Sequence, residues 1–196
     1  MINEALLDLR EVEGKAMADR IMTEDDYYAL PDDIRAELID GRLFYMESPS
    51  VDHQRIVVKL ISQIDRYIEV HDGNCEILPD LDTKLETAND TIVRPDISVI
   101  CDPDKLTERR CEGAPDWVIE IVSPSNPRHD YLTKLELYQR TGVREYWIVD
   151  PRKKTVTVYL LDENDFDMTC YTFNDKIRVG IYEDLIIDFG SVYDTV

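Results

Sequence analysis

The segment from residue 116 to residue 149 constrains the fold more than any other part of the chain. It holds the apolar run W-V-I-E-I-V, then a helical pattern over residues 131–140 closed by Gly142, then a second apolar run over residues 145–149. Two buried strands joined by a helix form a crossover unit, whose strands run parallel. The segment therefore predicts an α/β fold in which residues 116–122 form the central strand.

The flanking segments predict antiparallel strands, so we expect a mixed sheet flanked by helices. Residues 36–39 and 42–46 are apolar runs around Asp40-Gly41, a hairpin turn sequence. Further candidate strands lie at 76–78, 82–86 and 95–100, and we interpret 154–161, 168–173 and 186–189 as edge strands. Helices are predicted to begin at Thr23 and to cover residues 51–70.

The domain prediction is a helical arm over residues 1–21, helical from 2 to 19, followed by one α/β domain over residues 22–196. The arm and the apolar edge strands near the C-terminus could close a homodimer. No stretch approaches the roughly 20 apolar residues that a membrane span needs. Since residues 1–20 also lack the apolar core of a signal peptide, we expect a cytoplasmic protein.

The four cysteines lie at positions 75, 101, 111 and 170, with no C-x-x-C pair among them. No histidines stand at zinc-finger spacing around them. We therefore expect isolated reduced thiols that pack as small apolar groups, rather than a zinc site or a disulfide framework.

The net charge of −20 disfavours a tight nucleic-acid binder, since such a body repels phosphates at long range. The charge is unevenly distributed. Residues 128–154 hold seven basic and four acidic side chains, so that this segment is +3 and the rest of the chain is −23. Nucleic acid is expected near this segment if it binds anywhere, and a solvated surface of mixed charge is the alternative. No aromatic-rich basic stripe of the kind that reads single strands is evident.

Two acidic residues stand where strand propensity and burial disfavour them. Asp96 opens a predicted strand, and Glu120 lies inside the apolar run W-V-I-E-I-V. Two carboxylates on neighbouring strands form an oxygen-ligand site suited to Mg²⁺ or Mn²⁺. The alternative is a structural salt bridge from Glu120 to a basic residue of the adjacent helix.

Lys134 follows Glu120 by fourteen residues, on the helix that leaves the same strand end. There a lysine can orient or deprotonate water, or stabilise charge in a phosphoryl-transfer transition state. Asp130, four residues earlier, is placed to hold Lys134. An exposed helix lysine is the alternative.

These residues and their surroundings resemble the Uma2 family, also known as DUF820. The resemblance rests on V-R-P-D-I-S-V-I, on D-W-V-I-E-I-V-S-P-S-N, on the run D-Y-L-T-K-L-E-L-Y-Q-R-T-G-V-R-E-Y-W-I-V-D-P, and on A-E-L-I-D-G-R-L and S-P-S-V-D-H-Q, in the family's order. It covers about residues 22 to 190. It implies the restriction-endonuclease-like fold of the PD-(D/E)XK nuclease superfamily, a mixed sheet flanked by helices, with one or two divalent metals. The N-terminal hairpin and the C-terminal antiparallel strands that the residue pattern predicts complete this expected fold.

The resemblance also assigns roles to individual residues. The superfamily's P-D pair matches Pro95-Asp96, and its acid-x-lysine motif matches residues 120–122, where the lysine is missing. Lys134 matches the substitute lysine of the Uma2 pattern. Glu37 matches an early glutamate, although it could instead pair with an arginine beside it, at 35 or 42. His53 matches a supporting histidine, with a capping or packing role as its alternative, and Gln54 is a weaker candidate.

The resulting hypothesis is a Mg²⁺- or Mn²⁺-dependent endonuclease that hydrolyses phosphodiester bonds in DNA. Its metal ligands are Asp96 and Glu120, and its catalytic set adds Glu37 and Lys134. The alternatives are a catalytically silent interaction or regulatory module with the same fold, and a hydrolase of small phosphorylated molecules.

Overall fold

Residues 20–123, 129–162 and 165–193 are described by the structure, a computed structural model of the chain. Its helices are α1 (Glu24–Tyr28), α2 (Val51–Val70), α3 (Leu135–Thr141) and α4 (Phe189–Tyr193). Its strands are β1 (Ala36–Ile39), β2 (Arg42–Tyr45), β3 (Glu76–Pro79), β4 (Thr83–Lys84), β5 (Ile92–Val93), β6 (Ile97–Ile100), β7 (Cys111–Glu112), β8 (Trp117–Ile121), β9 (Glu145–Asp150), β10 (Thr155–Asp162), β11 (Asp165–Thr172), β12 (Lys176–Arg178) and β13 (Ile186–Asp188). A 3₁₀ turn covers Pro103–Lys105, and a π-helix, His129–Lys134, leads into α3. The predicted helix over residues 2–19 lies outside the described residues, and the domain division stays a prediction.

The larger sheet is built around the crossover segment. Among the described residues it has six strands in the order β11-β10-β9-β8-β6-β3, in which only β8 and β9 are parallel. One face carries the largest apolar cluster, where α2 packs over the buried pair Trp117 and Trp147. The other face packs against α3 through Leu137 and Tyr138. The predicted α/β crossover, its central strand and the mixed sheet are confirmed.

The tail strands differ from their prediction. Residues 154–161 were expected at an edge, but β10 pairs with β9 on one side and along its whole length with β11 on the other. The reason is that β10 and β11 form a long antiparallel pair, which moves the edge outward to β11. That edge exposes Phe166 and Met168. The homodimer stays a prediction.

The N-terminal hairpin belongs to a second sheet rather than extending the first. Its strand order in the described part of the chain is β2-β1-β5-β4-β7, and the predicted hairpin of β1 and β2 is confirmed. The turn residues Asp40 and Gly41 both have positive φ, which suits the Asp-Gly sequence of a tight hairpin turn. Because β1 lies between β2 and β5, all four of its residues are buried, including Glu37.

Both predicted helix starts are capped as their sequences indicate. The Thr23 side chain accepts from the backbone N–H of Asp26, whose carboxylate accepts in turn from the backbone N–H of Thr23. The side chain of Ser50 caps α2 by accepting from the N–H of His53. The helix α2 covers residues 51–70, as predicted.

The prediction of isolated reduced thiols is wrong for two of the four cysteines. Cys75 and Cys101 form a disulfide, while Cys111 and Cys170 are free. The pairing follows from strand register: Glu76 lies opposite Ile100 in the β3–β6 ladder, so the next pair outward is Cys75 and Cys101. Their separation of 26 residues hides this neighbourhood in the sequence. Since disulfides persist mainly in oxidising compartments, the expected cytoplasmic location stays a prediction.

Across the residues that the structure describes, no helix combines the length and the apolar character that crossing a bilayer requires.

Candidate active site

The start of β6 and the end of β8 bring Asp96 and Glu120 together. These strands are antiparallel neighbours, and Ile97 pairs with Ile119. The next step of the register sets Asp96 opposite Glu120. The two carboxylates that the sequence singled out therefore meet at one end of the larger sheet.

Asp96 is fixed from two directions. Its Oδ2 atom accepts a hydrogen bond of 2.7 Å from the backbone N–H of Ile121, and His53 Nε2 lies 3.1 Å from the same oxygen. The first contact links Asp96 to the residue directly after Glu120, and the second links it to the first turn of α2. No hydrogen bond from the described part of the chain reaches Oδ1 of Asp96, so this oxygen is available to a ligand.

Glu120 is held by two side chains of the following helical segment. Lys134 Nζ and the Tyr138 hydroxyl each donate to Glu120 Oε1, at 2.7 Å in both cases. Lys134 ends the π-helix and Tyr138 lies four residues further, so the two side chains share a helix face. Single π-turns occur often at functional sites. Burial first, and then the nearby carboxylates of Glu120 and Glu37, raise the pKa of Tyr138 well above 10, so its hydroxyl remains a donor.

Glu37 completes this cluster from the second sheet. Its Oε1 atom lies 3.0 Å from Lys134 Nζ and accepts a hydrogen bond of 2.9 Å from the backbone N–H of Arg94. The exposed fractions are 2% for Glu37, 3% for Glu120 and 3% for Lys134. One ammonium thus lies between two buried carboxylates, with Asp96 beside them, and the surplus of negative charge favours a further cation.

These residues lie along a cleft of about 540 Å³ between the two sheets and α2. Its lining includes Glu37, His53, Asp96, Glu120 and Lys134, together with Tyr45, Gln54 and Arg152. Six acidic side chains line it against three basic ones. Clefts of this volume suit a small organic ligand or part of a larger one.

Comparison with known proteins assigns the fold and the family. The family model of Uma2, described as "Putative restriction endonuclease", matches residues 24–179, which is most of the chain. The chain belongs to the Uma2 family. This membership supports a nuclease-like function.

Two individual proteins extend this result for the Uma2 chain. An uncharacterized protein of Synechocystis sp. strain PCC 6803, slr1290, is 27% identical over 146 residues, or 73% of this chain and 75% of that protein. The crystal structure of a "putative nuclease belonging to DUF820" from Anabaena variabilis ATCC 29413 has a TM-score of 0.73 at 22% identity, and the match covers 88% of this chain and 98% of that one. At this identity the second match shows the fold alone, and it agrees with the predicted restriction-endonuclease-like architecture.

The structure of this Uma2 chain bears on the alternatives that the sequence left open for Lys134, Glu37 and Glu120. Lys134 is buried, so an exposed helix lysine is excluded. Glu37 lies on an internal strand and contacts Lys134, while Arg35 pairs with Asp80 instead. The salt bridge from Glu120 to the adjacent helix is present, and it is made by the lysine that the nuclease hypothesis requires. This contact therefore agrees with both interpretations of Glu120.

The structure also bears on two of the three weaker candidates, His53 and Gln54, but not on Asp130. The side chain of His53 contacts Asp96, while Ser50 provides the helix cap, so a capping role for His53 is excluded. Gln54 lines the cleft. The side chain of Asp130 lies outside the described residues, and its support of Lys134 stays a prediction.

The sequence did not single out Tyr138, which contacts Glu120, or the cleft residues Tyr45 and Arg152. Tyr138 could have been found, because it stands four residues after Lys134 and so shares its helix face. Tyr45 ends β2, and Arg152 lies in the turn after β9. Only the packing of distant elements brings these two to the cleft. Arg152 belongs to the basic segment of residues 128–154, whereas no local pattern marks Tyr45.

Proposed function

We propose that this protein is a divalent-metal-dependent nuclease that hydrolyses phosphodiester bonds in DNA, with Asp96 and Glu120 as metal ligands. The observation that carries the proposal is the meeting of these two carboxylates with the buried Lys134 at the floor of one cleft. Family membership adds support, since the description of the family names an endonuclease.

The donor set fits Mg²⁺ or Mn²⁺. Among the described residues, no group of three or more His, Cys, Asp or Glu side chains could hold a metal. Mg²⁺ is commonly bound through only one or two carboxylates and retains several waters, which leaves positions for substrate phosphate oxygens. Asp96 Oδ1 and the Glu120 carboxylate supply hard oxygen donors of this kind.

A bound metal and Lys134 have different roles in the proposed reaction. A bound Mg²⁺ or Mn²⁺ supplies Lewis-acid polarisation of the phosphate and neutralises part of its charge. Lys134 orients the attacking water or stabilises the negative charge that develops on the phosphoryl oxygens. The water oxygen bonds to phosphorus as the bond to the leaving sugar oxygen breaks, and the leaving oxygen takes up a proton.

The remaining polar residues keep this arrangement in place. Glu37 holds the ammonium of Lys134 from the side opposite Glu120, and Tyr138 restrains the Glu120 carboxylate. His53 restrains Asp96. Residues of this kind fix the geometry on which a phosphoryl-transfer site depends.

Plasmid nicking tests the proposal. Wild-type protein in Mg²⁺ or Mn²⁺ is expected to convert supercoiled plasmid to open circles, and Asp96→Asn is expected to lose this activity. Glu69→Gln is the matched control, since it also removes one negative charge but lies on the exposed surface of α2. Equal nicking by wild type and Asp96→Asn, or no cleavage of plasmid or of single-stranded DNA by wild type in either metal, contradicts the proposal.

A catalytically silent module with the nuclease fold is the second candidate. It is favoured by the contacts of Lys134, which satisfies two buried carboxylates without any metal. Such a protein is expected to bind neither Mg²⁺ nor Mn²⁺, and its acidic surface would suit a basic protein partner.

A hydrolase of small phosphorylated molecules is the third candidate, favoured by the acidic lining and the volume of the cleft. Competition separates it from the proposal. Excess nucleotides should suppress plasmid nicking strongly if the true substrate is small, and only weakly if it is DNA.

A further inference from the structure

Three of the four residues of the proposed catalytic set lie below the surface of the cleft. Glu37, Glu120 and Lys134 are each at most 3% exposed. In a DNA duplex the phosphates lie on the outside of a stiff cylinder, and the bases are stacked inside it. Enzymes that modify a base in a deep pocket act on single strands or extrude the nucleotide from the duplex. A flexible unpaired strand can lower a phosphate to the floor of this cleft more readily than a duplex.

An aromatic side chain stands at the rim of the same cleft. Tyr45 is the last residue of β2, it lines the cleft, and its exposed fraction is 66%. Within the described ranges, its ring makes no stacking contact with another aromatic side chain. Exposed aromatic rings are the platforms on which proteins stack the bases of single strands, because every base has a π-face.

A cation lies at the rim as well. Arg152 is exposed, lines the cleft and belongs to the turn that follows β9. Its backbone N–H donates to the buried carboxylate of Asp150, which fixes the turn, and no described carboxylate pairs with its guanidinium. The fold thus brings one exposed aromatic ring and one exposed cation to a single cleft.

The charge of the cleft limits how many phosphates it can hold. Its lining contains six acidic and three basic side chains, and the whole chain carries −20. Binding to a duplex depends on neutralising many closely spaced phosphates, with a steeper salt dependence than binding to a single strand. A site with few cations therefore suits an unpaired strand, where stacking replaces part of the electrostatic attraction.

We propose that the substrate of this site is an unpaired nucleotide chain, namely single-stranded DNA or an unpaired end, with a base stacked on Tyr45 and the neighbouring phosphate bound by Arg152. This inference rests on the proposed nuclease function and names its substrate class. Tyr45 and Arg152 are binding residues in this scheme, and the cleaved bond lies at the floor of the cleft.

Cleavage rates test the substrate class. In Mn²⁺, a single-stranded oligonucleotide and a duplex with an unpaired overhang are expected to be cut faster than a blunt duplex of the same sequence. Tyr45→Ala should raise KM for the single strand roughly 5- to 100-fold with little change in kcat, while Tyr45→Phe keeps the ring and stays near wild type. Phe166→Ala removes an exposed ring outside the cleft and is the control. Equal or faster cleavage of the blunt duplex overturns the inference but leaves the nuclease proposal standing.

A binding measurement separates the two proposals if no DNA is cut. A single strand carrying 2-aminopurine is titrated with the protein, and stacking on Tyr45 is expected to quench its fluorescence. Tyr45→Ala should lose the quenching, and Arg152→Ala should weaken binding with a shallower dependence on salt. Quenching without cleavage would support the stacking of a single strand on Tyr45 but contradict the nuclease function, and with it the claim that this strand is a substrate. No quenching by wild type, or equal quenching by Tyr45→Ala, overturns the inference.

Discussion

Two buried glutamates stand on the neighbouring parallel strands β8 and β9, and they serve different purposes. Glu120 lies opposite Ile148, while Glu145 lies opposite Trp117. Ile148 is three residues beyond Glu145, so the two carboxylates point to opposite faces of the sheet and to different ends of the strands. Both are almost inaccessible to solvent.

The hydrogen-bond partners of Glu145 and Glu120 differ in charge. Glu145 accepts hydrogen bonds from Trp147 Nε1 at 2.6 Å and from the backbone N–H groups of Gly180 and Ile181 at 2.8 and 2.9 Å. These neutral donors fix the segment after β12 against the sheet. A Cβ atom at residue 180 would come within 2.4 Å of a terminal methyl group of Leu160 and 3.2 Å of the Glu145 carboxylate, so glycine favours this close approach. Glu145 therefore has a structural role, since it ties residues 180 and 181 to the sheet.

Glu120, in contrast, is contacted by a cation and a phenol, and it lines an open cleft with two more carboxylates nearby. A buried acid within an apolar strand therefore does not mark a functional site by itself, since Glu145 meets the same description. Glu120 differs in having a charged partner, Lys134, and in lining the cleft, whereas Glu145 has neutral donors and does not line the cleft.

The largest expected effect is a loss of nuclease activity when the positive charge of Lys134, the partner of Glu120, is removed. Lys134→Gln keeps a hydrogen-bond donor beside Glu37 and Glu120 but removes the positive charge, so nuclease activity should fall at least about 100-fold. Single-turnover cleavage by protein that is verified as folded measures this loss. Activity within threefold of wild type would remove Lys134 from the mechanism.

The next largest effect is a loss of stability when Glu145, which is held by neutral donors, is replaced. Glu145→Ala leaves three donors without their acceptor, so the free energy of unfolding should fall by about 2–4 kcal/mol. Urea denaturation measures the change, and cleavage per folded molecule should stay near wild type. A loss of activity without a loss of stability would show that Glu145 takes part in the chemistry.

A smaller effect is expected at Tyr138. Tyr138→Phe removes one hydrogen bond to Glu120 and keeps the packed ring, so cleavage should slow about 10-fold. The free energy of unfolding should change by no more than about 1.5 kcal/mol. An equal loss in a variant that only disturbs packing, Leu137→Ala, would argue that Tyr138 acts through the core rather than through Glu120.

The smallest effect is a pH dependence of opposite sign at two carboxyls. Burial raises the pKa of Glu145, so its contribution to stability is complete below pH 4.5 and is lost as the pH rises through the raised value. At Asp150 burial acts in the same direction, but hydrogen bonds from Lys153 and Arg152 outweigh it and lower the pKa. Its contribution is present above pH 3.8 and is lost as the pH falls through the lowered value.

Urea denaturation across pH 3–7 separates the two carboxyls. The stability of wild type relative to Glu145→Gln should decrease with rising pH, whereas the stability of wild type relative to Asp150→Asn should increase. Parallel slopes for both pairs would contradict the assignment.

Local patterns predicted the elements, and long-range contacts escaped prediction. The bounds of α2, the hairpin and the crossover follow from periodicity and turn residues within short windows. Asp96 and Glu120 were identified because acidic residues are disfavoured in strands and in apolar runs, and Lys134 because it lies on the helix that leaves the same strand end. The disulfide of Cys75 and Cys101 depends on strand register, which no local pattern reveals.

The hydrogen bonds of the Glu145 carboxylate are a second long-range contact that local patterns do not predict. Its donors at residues 180 and 181 lie 35 and 36 residues away, in a segment without a strong pattern. The sequence analysis singled out Glu120, but no local pattern separates a structural role of Glu145 from a metal-binding role. Only the partners of the two carboxylates make that separation.

Calorimetric titration with Mn²⁺ tests the central claim most directly, because it asks whether Asp96 and Glu120 bind a metal before any substrate is chosen. Wild type and Glu145→Gln are expected to bind Mn²⁺ alike, whereas Asp96→Asn and Glu120→Gln lose the binding. Absence of binding to wild type, or binding that survives in both Asp96→Asn and Glu120→Gln, would contradict the account.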